Sequence, residues 1–173
     1  MKNKLIMRRL ELQDEEAFFK ALKQWDANSG FMFALGFQPG MKFSEYIDRL
    51  KLNEAGEQLP EGYVPDTSLS GFMDDVIVGR IAIRHRLNEF LLKIGGHIGY
   101  GVLPQFRGLG YAKQMLTQSL KVADKMSIKR VLVTCDDNNI GSIKTIEYCG
   151  GVLENKIDQG ESKPLKRRYW IET

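Results

Sequence analysis

The sequence has few of the residues that build metal sites and disulfides. It holds two cysteines, Cys135 and Cys149, and neither lies at a metal-ligand spacing. Two such cysteines are more typical of reduced core residues than of a disulfide or a nucleophile. The sequence therefore predicts no metal centre and no disulfide.

Long apolar runs and a dominant charge sign are also missing. Residues 1–12 lack the apolar segment of a signal peptide, and no run approaches the length of a membrane span. Lys and Arg number 25 against 22 Asp and Glu, a net charge of +3, which is too balanced to indicate nucleic acid or a membrane surface as partner. We therefore expect a cytoplasmic protein that binds any anion at a local site.

What is present is the composition of an ordinary soluble protein. The 173 residues are 43% apolar and 27% charged, which suffices for one domain with a sizeable core. No linker, repeat or low-complexity block divides the chain. We therefore predict a single domain over 1–173, as a monomer or a homodimer.

The spacing of apolar residues and the turn signals predict alternating strands and helices. The predicted strands are 5–10, 67–75, 76–87, 97–102, 130–135, 151–157 and 166–172, and the predicted helices are 14–25, 43–55, about 108–127 and 140–149. The second and third strands form an antiparallel hairpin that turns at Asp74 and Asp75. Segment 130–135 is almost continuously apolar, which is typical of a strand covered on both faces beside a parallel neighbour.

The stretch 27–42 mixes glycine, proline and aromatic residues and predicts a loop. It either packs over the core, which we favour, or forms part of a binding-site wall. Phe31, Phe33 and Phe37 have the same two alternatives.

The stretch "YGVLPQFRGLGYAKQML" places two glycines at the start of a helix. Unpaired amides and the helix dipole bind phosphate there if the backbone can come close, and Gly108 and Gly110 allow this approach. A P-loop is excluded because Gly-Lys-Ser/Thr is absent, and a dinucleotide fingerprint is excluded because Lys113 stands where a glycine is needed. A tight turn without a ligand is the alternative, and the arginine and the βαβ context favour the phosphate site.

"RGLGYA" resembles the Arg/Gln-x-x-Gly-x-Gly/Ala signature of the GCN5-related N-acetyltransferases, or GNAT enzymes. "HIGYGV" before it and "NNIGSIKTIEYCGG" after it also match in position, and the stretch 79–154 is similar to a bacterial branch described as predicted acetyltransferases. The resemblance implies an α/β (α+β) GNAT fold with a mixed, mostly antiparallel central sheet of six to seven strands and about four helices.

The resemblance also implies acetyl-CoA as cosubstrate, bound where two parallel strands splay apart. Its pantetheine arm would pair with the backbone near Val102 and Leu103, and Asn139 and Ser142 would contact it. The pyrophosphate would rest on the amides of Arg107, Gly108, Leu109, Gly110, Tyr111 and Ala112. The Arg107 side chain either pairs with phosphate or caps the loop. Asn139 is suited to cap the next helix whether or not it also contacts the cosubstrate.

The reaction implied is direct transfer of acetyl to an amine, with a backbone amide near Val102 or Leu103 as oxyanion donor. His97 is either the general base or a structural histidine, and the latter is slightly favoured. Gly99 and Gly101 fit either a bulged strand that a ligand approaches closely or a bulge that serves packing alone, and they share a face with His97.

No general acid carries over from the family, since many relatives have a tyrosine where this sequence has Ile146. Tyr148 lies about 200° further round the helix and is expected to face away. Tyr100 or Tyr111 can substitute only if the fold directs the side chain at the sulfur.

The amine acceptor is expected near 28–43 and 154–170, where the family grips it. The basic run 166–168 is interpreted as the solvated face of a terminal strand. The rival hypothesis is a non-catalytic acyl-CoA sensor that binds another protein beside this run, and the missing tyrosine favours it. A nucleic-acid module is not expected, because no basic stripe interleaves with aromatic residues.

Overall fold

The computed structural model describes residues 4–26 and 31–173. Its strands are β1 (Ile6–Arg8), β2 (Asp66–Met73), β3 (Val76–Arg84), β4 (Ile98–Val102), β5 (Arg130–Asp136), β6 (Val152–Ile157) and β7 (Lys166–Glu172). Its helices are α1 (Glu15–Gln24), α2 (Phe43–Ala55), α3 (Tyr111–Lys125) and α4 (Ile140–Tyr148), with short helical turns at Leu12–Asp14, Leu91–Gly95 and Pro104–Phe106.

The strands form one sheet in the order β1-β2-β3-β4-β5-β7-β6. Neighbouring strands are antiparallel except β4 and β5, which are parallel. This confirms the predicted mixed, mostly antiparallel sheet.

The parallel strands β4 and β5 share a single register pair, Ile98 with Val133. Beyond Ile98 no further pair joins them, so β4 leaves its neighbour at Tyr100 and Val102. The predicted splay is therefore present and opens a gap in the middle of the sheet.

The antiparallel ladder between β3 and β4 determines which backbone groups face this gap. The Leu103 amide donates to the Val78 carbonyl oxygen at 2.9 Å, so Leu103 belongs to the hydrogen-bonded pairs of the ladder. Because such pairs alternate along an antiparallel ladder, the N–H and C=O groups of Tyr100 and Val102 point away from β3. They lie on the side of the gap.

Helices cover both faces of the sheet. The core on the α3 and α4 side is aliphatic and includes Met115, Leu116 and Ile146. The core on the α1 and α2 side is aromatic, and the Phe18 ring centroid lies 5.0 Å from that of Phe43 and 5.3 Å from that of Tyr46. The sheet is thus a middle layer whose two faces differ in side-chain chemistry.

The bounds of α2 coincide with the prediction because its sequence carries both an apolar face and a stop signal. Phe43, Tyr46 and Ile47 are buried on one side of the helix. Gly56 follows in the left-handed conformation and donates its amide to carbonyls of the last turn. A glycine there ends a helix at little steric cost.

Different residues of the loop 27–42 pack over the core and line a cavity, the two alternatives considered for it. Residues 27–30 lie outside the described ranges. Phe33 is buried in the aromatic core and Phe37 packs against it, whereas Phe31 lines two cavities.

The run 166–168 lies in the last strand of the chain, as predicted, but the interpretation of its side chains as a solvated face was wrong. β7 lies between β5 and β6, so β6 is the edge strand. The three basic side chains pair in order with Asp136, Asp137 and Glu154 of neighbouring segments. Their charge is neutralised within the fold.

In the ranges that the structure describes, no helix is long and apolar enough to cross a bilayer.

Candidate active site

A cavity of about 600 Å³ opens at the gap between β4 and β5. It is bounded by the end of β4, the loop before α3, the first turns of α3 and α4, and the aromatic residues Trp25 and Phe31. Of the residues predicted to bind the cosubstrate, those lining this cavity are Val102, Arg107, Gly108, Gly110, Tyr111, Ala112, Asn139 and Ser142.

The glycine loop has the conformation that glycine permits. Gly108 and Gly110 have φ values of +77° and +84°, and a Cβ added to either would meet nothing within 4 Å. The space above the loop is therefore open, and the backbone requires glycine for its conformation rather than for lack of room. The first amides of α3, from Tyr111 onward, have no acceptor within the helix. The loop offers the donors that a phosphate needs.

Basic side chains surround this loop. Lys113 and Lys144, in the first turns of α3 and α4, line the cavity and were not among the predicted site residues. In the sequence, their positions near the starts of the two predicted helices could have indicated them, since Lys113 is the third residue of α3 and Lys144 the fifth residue of α4. Arg107 donates from Nε to the Val102 carbonyl at 3.2 Å and from its Nη atoms to Asp26 at 3.3 Å, the loop-capping geometry.

Asn139 caps α4 at the opposite wall. Its Oδ1 accepts a hydrogen bond of 3.0 Å from the Ser142 amide, and both residues line the cavity. The capping role is therefore present in the structure. It leaves both side chains within the cavity wall.

The two remaining predicted residues do not line the cavity. Leu103 is fully buried in the aromatic core, and its amide is committed to the Val78 carbonyl. Leu109 is exposed between the two glycines. Of the two residues considered as oxyanion donor, Val102 alone keeps its backbone groups on the gap side.

The glycines of β4 are approached by the protein itself. The register between β3 and β4 shows no shift, so the predicted bulge is wrong at these positions. An added Cβ at Gly101 would lie 2.5 Å from Trp25 Cη2, and one at Gly99 would lie 2.9 Å from Phe31 Cε2. The rings of Trp25 and Phe31 therefore lie against the face of β4 that carries Gly99 and Gly101.

Trp25 and Phe31 form an aromatic cover over β4, and hydrogen bonds from Trp25 and from Arg80 hold it in place. The Trp25 Nε1–H donates to the Phe31 carbonyl at 2.9 Å. The buried Arg80 donates from Nη1 to the Met32 carbonyl at 2.8 Å and from Nε to Ser68 Oγ at 2.9 Å. The cover is thereby fixed from both the helix side and the sheet side.

His97 lies below the gap and lines neither of the cavities described here. It is 8% exposed, its Nδ1 accepts from the Leu132 amide at 2.9 Å, and its own amide donates to the Leu132 carbonyl at 2.7 Å. Burial, with a further contribution from the charge of Arg84, lowers its pKa to about 4. This geometry supports the structural alternative, and the role as base stays an untested prediction.

The tyrosines near the gap differ in what surrounds them. Ile146, at the position of the family's usual tyrosine, is 0% exposed within the aliphatic core, while Tyr148 is 69% exposed and its ring lies 4.1 Å from Lys113 Nζ. Tyr111 lines the cavity and packs edge-on against Phe106. Tyr100 also lines it, from the strand side.

The Tyr100 hydroxyl is withdrawn from solvent beside α4. It lies near the Ser142 and Thr145 side chains, yet it forms no hydrogen bond of acceptable geometry with either. Burial raises the pKa of this phenol. Sequence reasoning did not assign Tyr100 to the site, because only the fold shows which face of β4 meets α4.

A second cavity, of about 330 Å³, lies on the other side of Phe31, which lines both. Its polar walls are Asp66, Arg80 and Arg84, and much of the rest is apolar or aromatic. Burial raises the pKa of Asp66, although the charges of both arginines act in the opposite direction. The lining includes part of 28–43 but no described residue of 154–170.

The cysteines are both free thiols, and neither lines these two cavities. Burial raises the pKa of Cys135 to about 11 and also raises that of Cys149. Within the described ranges, no group of three or more His, Cys, Asp or Glu side chains could hold a metal ion.

The chain combines a splayed parallel strand pair, an open glycine loop at a helix start and a cavity lined by basic side chains. The family model described as "Acetyltransferase (GNAT) domain" matches residues 4–152. The chain belongs to the GNAT acetyltransferase family, and the protein is an acyltransferase of the N-acetyltransferase class.

Solved structures agree with this fold. An acetyltransferase of the GNAT family from Streptococcus pneumoniae is 17% identical with a TM-score of 0.66, and the match covers 96% of this chain and 97% of that one. A GNAT acetyltransferase from Bacillus anthracis is 19% identical with a TM-score of 0.62 and coverage of 99% and 96%. The microcin C7 self-immunity acetyltransferase MccE, solved in complex with acetyl-CoA and AMP, is 17% identical with a TM-score of 0.66 and coverage of 99% and 93%. No curated protein matches the sequence.

Proposed function

We propose that the protein binds acetyl-CoA in the larger cavity and transfers the acetyl group directly to a primary amine. One observation carries the proposal: the gap between β4 and β5 joins the open glycine loop at the start of α3 in a single cavity. A long substrate with an acyl thioester at one end and phosphates at the other matches this arrangement.

The binding residues follow from the donors that remain unused. The N–H groups of Tyr100 and Val102 and the Tyr100 carbonyl, on the gap side, are suited to an amide-bearing arm that pairs like an added strand, whereas the Val102 carbonyl already accepts from Arg107 Nε. The amides at the loop and the start of α3 are suited to the pyrophosphate, and Lys113 and Lys144 add positive charge.

The chemistry is attack of a neutral amine on the thioester carbonyl. The developing oxyanion needs a donor, and the Val102 amide is the predicted donor that is not committed to β3. The tetrahedral intermediate then collapses: the carbon–sulfur bond breaks and its electron pair goes to sulfur. The extra proton on the attacking nitrogen leaves to solvent.

We propose the second cavity as the acceptor site, because it adjoins the first at Phe31, which lines both. Its aromatic and apolar walls suit a hydrophobic substituent, and Asp66, Arg80 and Arg84 suit polar groups of the acceptor. The test is to incubate the protein with labelled acetyl-CoA and a panel of amines, in pairs with and without a carboxylate.

The sensor hypothesis rests on one observation, the buried Ile146 in place of a tyrosine. Release of free thiol from acetyl-CoA distinguishes the two functions. Tight binding without thiol release on any amine would favour the sensor, whereas amine-dependent release supports the enzyme.

The cosubstrate site is tested by Gly110→Val with Gly150→Val as matched control. Both glycines have positive φ, +84° and +88°, and open space where the Cβ would lie, but Gly150 ends α4 away from the cavity. Both changes should cost similar stability through backbone strain, and Gly110→Val alone should lower acetyl-CoA affinity at least about tenfold, or about 1.4 kcal/mol. Calorimetry giving equal affinities for the two folded variants would refute this site.

A further inference from the structure

Tyr100 carries a buried polar atom that the fold leaves unsatisfied. Within the described ranges, its hydroxyl oxygen is the buried side-chain nitrogen or oxygen that has no hydrogen-bond partner. Buried hydroxyls are nearly always paired in folded proteins, because an unpaired one costs free energy. A native exception at the wall of a substrate cavity indicates a group that pairs with the ligand.

The fold directs this hydroxyl toward the first turns of α4. Alternation along β4 gives Tyr100 the same face as Ile98 and Val102, the face that packs against the aliphatic core. Tyr100, Ser142 and Thr145 all line the cavity. A hydroxyl from the sheet therefore lies about one helical turn before Ile146, where the helix itself offers only an alkyl side chain.

The neighbouring hydroxyls do not satisfy Tyr100. Thr145 Oγ1 donates its proton to the Gly141 carbonyl at 2.8 Å. The Ser142 amide is bound by Asn139, and its hydroxyl makes no hydrogen bond of acceptable geometry with Tyr100. No hydrogen bond of acceptable geometry therefore engages the phenol proton, and the enclosed hydroxyl can turn toward a ligand arm that enters between β4 and α4.

We propose that the Tyr100 hydroxyl donates a hydrogen bond to the coenzyme A sulfur as the thiolate leaves, and that it keeps its own proton. The proposal rests on the proposed function, in that the sulfur is placed beside β4. It adds a stabiliser of the leaving group that comes from the sheet.

A hydrogen bond rather than a full proton transfer follows from the burial. Burial raises the pKa of the phenol, so a phenolate beside α4 is disfavoured. The carbon–sulfur bond breaks with its electron pair on sulfur, the neutral phenol stabilises that charge, and solvent protonates the thiolate after release. A neutral donor aimed at developing charge is an efficient electrostatic catalyst.

The first test needs no acceptor. The thiol of coenzyme A bound to the wild-type protein is titrated by the ultraviolet absorbance of its thiolate, with the ligand-free protein as baseline for Cys135 and Cys149. We expect the pKa of the bound thiol to be lower in the wild type than in Tyr100→Phe. Equal values in the two proteins would overturn the proposal.

The second test is kinetic and uses any amine that the wild type acetylates. Tyr100→Phe should lower kcat by roughly tenfold to a hundredfold, which reaches only the lower end of the loss known for single oxyanion donors, while the acetyl-CoA dissociation constant stays nearly unchanged. Tyr148→Phe is the matched control, because Tyr148 lines neither cavity, and phenylalanine keeps the ring that lies 4.1 Å from Lys113 Nζ, so this variant should keep wild-type kcat. An unchanged kcat in Tyr100→Phe would contradict the role.

Thermal unfolding guards against a folding artefact. Tyr100→Phe removes a hydroxyl without a protein partner, so the ligand-free variant should be at least as stable as the wild type. A clear loss of stability would mean that the hydroxyl serves the fold, and would overturn the proposal. Wild-type protein that binds coenzyme A but acetylates no amine would refute the proposed reaction alone, since the thiol titration still decides the hydrogen bond. Absence of coenzyme A binding would overturn both.

Discussion

His97 and Tyr100 lie three residues apart near the same strand, and their polar atoms have opposite surroundings. The His97 Nδ1 accepts from the Leu132 amide, and its backbone is bound to the same residue. The Tyr100 hydroxyl has no partner. At the scale of single residues, the satisfied group supports the fold and the unsatisfied group is the stronger candidate for chemistry.

The buried His97 should make the protein less stable in mild acid. The unfolded chain protonates this residue below about pH 6.5, and the folded protein does so only below about pH 4. Between these values the unfolded state binds more protons, so the free energy of unfolding falls as the pH falls. We expect about 2 kcal/mol to be lost between about pH 7 and about pH 5, measured by urea unfolding at each pH.

His97→Asn tests whether His97 causes this pH dependence, because the Oδ1 of the new asparagine can still accept from the Leu132 amide. The variant should lose most of the pH dependence, and His85→Asn should retain it apart from the share of His85, whose pKa is also lowered. A fall in stability of equal size in wild type and His97→Asn would place the effect elsewhere. Normal turnover of His97→Asn at neutral pH would also reject His97 as the general base.

At the scale of elements, β4 is shaped by what crosses it. Its glycines allow the rings of Trp25 and Phe31 to lie against the backbone. The two rings form an aromatic wall of the larger cavity, and Phe31 also lines the second cavity. Such a wall positions both cavities by packing rather than by loop conformation.

Replacing Gly101 by alanine should displace this wall. The added Cβ would lie 2.5 Å from Trp25 Cη2, so the ring must move, and we expect a loss of roughly 1–3 kcal/mol as for other overpacked positions. Tryptophan fluorescence and urea unfolding measure the two effects. Gly141→Ala is the control for stability, because its nearest atom would be Asn139 Oδ1 at an ordinary 3.7 Å and alanine favours helix. Equal stability of the two variants would show that the cover yields freely.

The sequence predicted the elements better than their contacts. The bounds of α2 and the glycine loop were readable because apolar periodicity and positive-φ glycines are local signals. The cover over Gly101 and the pairing of 166–168 were not readable, because each joins segments far apart in the chain. The aim of Tyr100 toward α4 was missed for the same reason, since alternation gives two faces without saying which one meets the helix.

At the scale of the whole molecule, the larger cavity lies between two parts of the sheet rather than beside a reactive thiol. Cys135 and Cys149 are free but lie outside its walls, and burial raises the pKa of both. A thiol that stays protonated is a poor nucleophile. Transfer should therefore proceed without an acetylated cysteine.

Intact-mass spectrometry tests this expectation in the absence of an amine. After incubation with acetyl-CoA alone, the protein mass should remain unchanged. A stoichiometric gain of one acetyl group that maps to either cysteine would replace direct transfer by a two-step route.

The single register pair between β4 and β5 also has a consequence for motion. Strands β1–β4 on one side and β5–β7 on the other are continuous ladders, but the backbone bonds between the two sides are few, with Ile98, His97 and Leu132 at their centre. Cooperative units tend to separate where few bonds join them, so amide hydrogens at this seam should exchange with solvent through a sub-global opening of lower free energy than global unfolding. A substrate arm paired along β4 would bridge the two ladders and slow that opening. Substrate binding and opening of the sheet are therefore thermodynamically linked, because the arm binds only the closed sheet.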